Sequence, residues 1–249
     1  MKLATMTWKE VSVASRECAV LIPTGSLEQH GPALPLMTDS FIVSAVAERV
    51  EERLGDKVLL LPTLWLGVSP HHMAFAGTLT ASAHGYEDSV TQCVCSLVKA
   101  GFWKFYVLNG HGGNNHANGL LLRKLKTEHP TLALCHAEYY DLIQSETALI
   151  LTGADRKMTH AAEAEASLML HLAPELVKTD LLRDDGLHPS PALLGLVTDF
   201  HEITEEGSFG AATEASAEKG EALFMAAVDN VSQQVEVLAD GFVFTSAKE

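Results

Sequence analysis

The chain has 249 residues, 47% of them hydrophobic, and 17 basic against 32 acidic side chains give a formal net charge of −15. Such a composition allows a full apolar core and excludes the collagen-like, disordered and disulfide-scaffold classes. The acidic balance, with no run of Lys or Arg, argues against a nucleic-acid partner.

Taken in chain order, Met1 to Glu10 has no apolar signal-peptide core. The most apolar segment, Val58 to Val68, is interrupted by Pro62 and is too short to span a bilayer. A soluble cytoplasmic protein with no membrane partner is expected. Apolar runs at 17–23, 57–66, 102–108 and 131–137 have strand length and alternate with patterns of helical length. That alternation predicts an α/β fold, a single-domain layered arrangement over residues 1–249 with a parallel-rich central sheet flanked by helices. Ile42, Val43, Val46, Val50 and Leu54 recur at helical spacing and Gly55 supplies a stop. Tyr86, Val90, Val94, Leu97 and Val98 predict the next helix, ended by Gly101, and Leu120 to Leu125 a further one closed by His129-Pro130. From His160 to Leu172 the chain is rich in good helix formers and Pro174 stops it. Residues 183–212 show no periodicity and read as a long excursion that covers a site or makes a subunit contact. A last helix from about Ala215 to Leu238 presents Phe224, Ala227, Val231, Val235 and Leu238 on one face. Cys18, Cys93, Cys95 and Cys135 lack C-x-x-C spacing and read as buried reduced thiols.

Three segments carry chemistry. Gly25-Ser26-Leu27-Glu28-Gln29-His30-Gly31-Pro32 follows the first apolar run, and ligands of parallel sheets bind beyond the carboxyl ends of strands. Glu28 and His30, two residues apart, project to the same side of an extended segment and can face one or two ions. Asp39 reads either as an N-cap or as another ligand. Asn109-Gly110-His111-Gly112-Gly113-Asn114 lacks the spacing of the phosphate-binding loops. His111 between glycines can approach a metal, while the Gly112 and Gly113 backbone stays open to an oxyanion. In Thr159 to Ser167, a helix would put His160 and Glu163 on one face and turn Glu165 away from both. The other reading of that segment is an N-terminal turn whose acids suit the helix dipole. Of the adjacent His71 and His72, at most one faces a common site.

Together these stretches, with Leu34-Pro35-Leu36-Met37-Thr38-Asp39 and His160-Ala161-Ala162-Glu163-Ala164-Glu165-Ala166-Ser167, resemble the creatininase family, the creatinine amidohydrolases. His72 through Phe75 to Gly77-Thr78 and Ala215 to Gly220 resemble secondary stretches of the same family, so the likeness runs from about residue 17 to 225. The resemblance implies a metal centre at the carboxyl edge of the sheet and frequent homohexamers. By position, Glu28, His30, Asp39 and His111 resemble the metal ligands, with Asp39 bridging two divalent ions of Zn, Mn or Fe. Some members supply a Glu two residues after the His matched by His111; Gly113 stands there in this chain. Glu165, matching the last acid of the family's His-Ala-Gly-x-x-Glu stretch, is therefore expected to complete the second coordination sphere, although Ala162 departs from that Gly.

The implied activity is a metal-dependent amidohydrolase that opens a non-peptide, cyclic amide C–N bond with metal-activated hydroxide on a small-molecule substrate. His160 is expected as general acid, Glu163 as the neighbour that orients it, and Gly112, Gly113 and His72 on the substrate and oxyanion side. A keto-cyclitol or carbohydrate ring hydrolase and a formamide deformylase are the alternatives within enzymes, and a non-catalytic metabolite-binding protein is the alternative outside them. Trp8, Trp65 and Trp103 all precede His111, so the tryptophan lid of true creatininases is missing, with Tyr139 and Tyr140 as partial substitutes. Creatinine is disfavoured as substrate.

Overall fold

Runs rich in Val, Leu and Ile pair as four parallel strands in the computed structural model, which describes residues 1–154, 156–186 and 195–242. The strands are β1 (Ala19–Thr24), β2 (Val58–Leu60), β3 (Lys104–Asn109) and β4 (Ala133–Glu138), in the order β2-β1-β3-β4. The central strands β1 and β3 are buried at every position, as strands covered on both faces must be. Strand β2 is shorter than its apolar run because Pro62 has no N–H for the ladder. The chain leaves β1 for one side and returns with β3 on the other. The resulting switch point opens a crevice beyond the carboxyl ends of these strands. Register sets Thr24 against Asn109 and Asn109 against Glu138, so the polar ends of three strands line that crevice.

Eight α-helices follow among the described residues: α1 (Trp8–Val13), α2 (Thr38–Leu54), α3 (Ala83–Lys99), α4 (Asn115–Glu128), α5 (Gln144–Ile150), α6 (Glu163–Leu172), α7 (Phe200–Ile203) and α8 (Ala217–Glu236). On one face of the sheet Ile42, Val46, Leu168 and Val228 pack with Leu21 and Tyr106; on the other Val90, Val94 and Leu121 pack with Val20 and Phe105. Helix α2 buries Ile42, Val43, Val46 and Val50 as its spacing predicts, leaves Leu54 half-buried, and stops at Gly55, whose φ of +61° suits a residue without Cβ. Helix α8 continues through a single π turn, Val237–Gly241. All four cysteines are free, Cys18 buried and the other three half-buried. Among the described residues no helix is long and apolar enough to cross a membrane.

Two expectations need correcting. The helix predicted from His160 begins only at Glu163, because Ala161 sits at a left-handed φ of +52° and turns the chain just before it. The excursion at 183–212 contains a helix after all, the single turn α7, opened by a capping box between Asp199 and Glu202. Residues 187–194 of that excursion lie outside the described residues.

Helices α6 and α8 meet at Gly220, where an added Cβ would stand 1.9 Å from the Ser167 carbonyl oxygen. Backbone cannot yield there as a flexible side chain would. Gly220→Ala should cost about 1–3 kcal/mol of overpacking and lower the melting temperature by about 2–4 °C per kcal/mol. Gly241→Ala, with no atom within 4 Å of the new Cβ, is the control. Equal melting temperatures for the two variants would show that α6 and α8 are free to separate.

Candidate metal centre

The loop after β1 is pressed against the start of α2. A Cβ at Gly25 would lie 2.5 Å from Ser40 Oγ, so the glycine allows the close approach. Asp39 is the second residue of α2, whose N-cap position is taken by Met37, and its carboxylate does not cap the helix. It turns inward instead, accepting from Ser26 Oγ at 2.7 Å. The N-cap reading of Asp39 is thereby replaced.

Four histidines bring ring nitrogens within 4 Å of the buried carboxylates, and His71, grouped with Glu28 and His111, stands beside them. His30 is held from behind by the Glu28 carbonyl, 3.1 Å from Nδ1, and a carbonyl only accepts. The proton therefore sits on Nδ1, and the Nε2 lone pair of neutral His30 faces Asp39 Oδ1 at 3.0 Å and Glu165 Oε2 at 3.8 Å. His111 repeats the arrangement. Its Nε2 lies 3.1 Å from the Val68 carbonyl, which leaves Nδ1 facing Asp39 Oδ2 at 3.1 Å and Glu28 Oε1 at 3.3 Å. Lone pair against carboxylate is repulsive unless a cation lies between them. His160 lies ahead of α6 with Nε2 2.9 Å from the Gln29 carbonyl and Nδ1 3.7 Å from Glu28 Oε1. His72 brings Nε2 to 3.2 Å from the same oxygen.

The electrostatics express this need for positive charge. Burial by itself would depress the His30 ring, yet Asp39 and Glu165 override it and raise the ring to about 10. Burial is likewise overridden at His111, where Glu28 and Asp39 hold the ring well above the ordinary value. At His160 burial and the neighbouring His30 act together and keep the ring neutral. Burial lifts Glu165 to about 7, with Asp39 adding to it and His30 opposing.

A divalent ion fits these residues. Glu28 Oε1 is crowded by imidazoles, while Oε2, equally buried, has no hydrogen-bond partner among the described residues. One side-chain donor atom each from Glu28, His30 and Asp39 falls within 4.8 Å of the others, and so do those of His30, His160 and Glu165. Mixed carboxylate and imidazole donors suit zinc, manganese or ferrous iron. The site opens into a cavity of ≈ 230 Å³ lined in part by Gly112, Gly113, Tyr140 and Phe200.

Not every expected residue is there. Glu163 faces away from the cluster: its carboxylate accepts from the Thr152 and Gly153 N–H groups and pairs with Lys219 Nζ at 2.6 Å. The expectation that Glu163 orients His160 is therefore wrong, because His160 is not on the helix. Glu165, expected as a ligand from the family resemblance although helix spacing turns it from His160 and Glu163, reaches the site and accepts from the Ala161 N–H at 2.6 Å. Tyr140 lines the cavity, whereas Tyr139 is buried in the core. Phe200, at the start of α7, stacks on His72 at 4.1 Å between centroids and meets His160 edge-on at 4.6 Å. The aperiodic stretch around Phe200 reads as an excursion that covers a site or makes a subunit contact, and nothing in it singles out Phe200. Ser26 and Gln29 lie inside the recognised loop, and only the structure shows what they touch.

The family model described as creatinine amidohydrolase matches residues 4–235. The mycofactocin precursor peptide peptidase of Mycobacterium tuberculosis is 31% identical over 230 residues, 87% of this chain and 84% of that protein. The creatinine amidohydrolase of Pseudomonas putida is 27% identical over 248 residues, 92% of this chain and 94% of that protein. A solved manganese creatininase superposes with a TM-score of 0.82 at 26% identity, covering 94% of this chain and 97% of the other. With its parallel sheet and its carboxylate and histidine cluster at the strand ends, the chain belongs to the creatininase family of hydrolases.

Proposed function

We propose that this chain hydrolyses a non-peptide, cyclic amide C–N bond at a centre for two divalent ions held by Glu28, His30, Asp39, His111 and Glu165, with Asp39 shared between them. The observation that carries this reading is the pair of imidazoles, His30 and His111, whose rear hydrogens go to backbone carbonyls while their lone pairs face carboxylates. This is how metal-binding histidines are commonly oriented. When bound, such ions lower the pKa of a water and polarise the scissile carbonyl. The protein's own groups do the rest. Ser26 Oγ steers Asp39, and the Gly112 and Gly113 backbone lines the place for the developing oxyanion. His160, with its Nε2 hydrogen bonded to the Gln29 carbonyl, has the bare Nδ1 on the cavity side, to take the proton released by the attacking water and pass it to the leaving nitrogen. Tyr140 and Phe200 form the apolar wall against the substrate. The family resemblance supports a cytoplasmic homo-oligomer, a hexamer in that resemblance.

Elemental analysis of purified protein should find more than one divalent ion per chain, and Asp39→Ala should lose most of it. Full metal content in both Asp39→Ala and Glu165→Ala would sink the shared-ligand arrangement. Light scattering on the same sample should give a multiple of 26.8 kDa; a monomer would remove the oligomer from the reading.

His160→Ala should keep its metal and lose turnover by roughly 10²–10⁴-fold. An ion lost with His160 would make it a ligand instead. Glu163→Gln weakens the ion pair to Lys219, so it should lower the melting temperature and leave turnover in place. The reverse pattern would return Glu163 to the mechanism.

A panel of cyclic amides, a short peptide, a formamide and a keto-cyclitol, run with and without metal, identifies the substrate class. The peptide belongs in it because the 31% identical relative is named a peptidase. Creatinine should be a poor substrate, since no tryptophan follows His111. A kcat/KM for creatinine of about 10⁴ M⁻¹s⁻¹ or above would overturn that expectation.

A further inference from the structure

Three of the four site histidines share one orientation and the fourth reverses it. His30, His111 and His160 each give a ring N–H to a backbone carbonyl, of Glu28, Val68 and Gln29, and so turn a lone pair toward the carboxylates. His72 has a side chain behind it instead: Gln29 Nε2 lies 2.8 Å from His72 Nδ1. Which end of the Gln29 amide points there is settled by its other partners. The Gly31 N–H, which only donates, is 2.9 Å from Oε1, and the Gly207 carbonyl, which only accepts, is 3.0 Å from Nε2. The amide nitrogen therefore donates to His72 Nδ1, so the proton of neutral His72 is on Nε2 and is aimed at Glu28 Oε1, 3.2 Å away.

Gln29 Nε2 also lies 3.0 Å from His160 Nε2, and in this assignment that contact is not a hydrogen bond. The two amide hydrogens are committed to His72 and Gly207. His160 Nε2 keeps its own hydrogen for the Gln29 carbonyl at 2.9 Å, because a bare nitrogen would oppose the carbonyl lone pairs. The loops around the amide approach closely. A Cβ at Gly207, which has φ +95°, would fall 2.0 Å from Gln29 Oε1, and one at Gly31, φ +63°, would fall 2.2 Å from Ser208 Oγ. The two loops interlock through glycines on either side of Gln29.

We propose that Gln29 is a positioning residue that fixes the tautomers of two histidines. Its side-chain amide keeps His72 a hydrogen-bond donor to Glu28, and its main-chain carbonyl turns the Nδ1 lone pair of His160 to the cavity. The consequence is selective. Donor atoms of Glu28, His72 and His160 lie within 4.8 Å of one another and would make a competing metal site if His72 offered a lone pair. The proton on His72 Nε2 closes that site and leaves the ions to the carboxylate-rich group. This consequence for the metal rests on the proposed function; the tautomers do not.

Two-bond ¹H–¹⁵N correlation spectra of histidine-labelled, zinc-loaded protein read the tautomers directly, with His72→Ala and His160→Ala used for assignment. In the natural sequence His72 should show a bare Nδ1 and a protonated Nε2, and His160 a protonated Nε2. Gln29→Glu replaces the donor by an acceptor of the same shape, so His72 Nδ1 should become proton-bearing, with a large upfield shift. Gln29→Met removes the donor and supplies no acceptor. Nδ1 should then stay bare and shift downfield as its hydrogen bond is lost. A protonated His72 Nδ1 in the natural sequence, or an Nδ1 that moves in neither variant, overturns the proposal. If Gln29→Glu does not fold, the natural sequence and Gln29→Met decide it. The same spectra of metal-free protein separate the two claims: failure to bind zinc counts against the proposed function, while the Nδ1 of His72 still tests Gln29.

Discussion

Three carboxylates, Glu28, Asp39 and Glu165, are buried within reach of one another's histidine partners, and the fold beyond the strand ends answers to the charge they bring. Two unit charges 4 Å apart repel by about 4 kcal/mol even at an effective dielectric constant of 20. Without positive charge among them the carboxylates would protonate or drive the loops apart. The imidazoles supply the means of neutralisation. Because backbone carbonyls of Glu28 and Val68 claim the rear hydrogens of His30 and His111, the opposite nitrogens can take a proton or a metal, whichever binds better. The raised protonation of both rings expresses the same demand that a divalent ion would satisfy.

Meeting that demand requires segments far apart in the chain to approach closely, and small residues make this possible. Gly25 lets α2 approach the loop that carries Glu28 and His30. Gly113 packs where a Cβ would lie 2.2 Å from the Val68 carbonyl, so the strand loops that hold His111 front and back can meet. Behind α6, Gly220 admits α8, and the Glu163–Lys219 pair ties the first turn of α6 to α8. Glu163 thus stabilises the helix from which Glu165, two residues on and facing the other way, enters the site.

The family's named activities differ in substrate, while the carboxylate and histidine cluster described here suits hydrolysis in general. Specificity must then come from the walls, since function resides in the site and not in the fold. In this chain Tyr140, from the turn after β4, and Phe200, from the excursion and stacked directly on His72, are among the residues that line the cavity. An aromatic ring on a single helical turn can be exchanged without disturbing the sheet.

The sequence by itself determined the alternation of strands and helices, the buried faces of α2, α3 and α8, and the segments that would bring Glu28, His30 and His111 to the sheet's carboxyl edge. These follow from period and from local chemistry, which act over a few residues. Tertiary structure alone decided the rest. Whether Asp39 caps its helix or enters the cluster depends on Ser26 and on two histidines up to 72 positions away, and no local rule weighs them. Glu163 leaves the site it was expected to share with His160 because one residue, Ala161, adopts a left-handed turn that helix periodicity cannot foresee. Phe200 and the Gly207 carbonyl reach the site from the aperiodic excursion, and Gln29 finds its meaning only when His72, His160 and Gly207 surround it. A hydrogen bond is decided by which two groups are left facing each other after the core has packed, and that is a property of the whole chain.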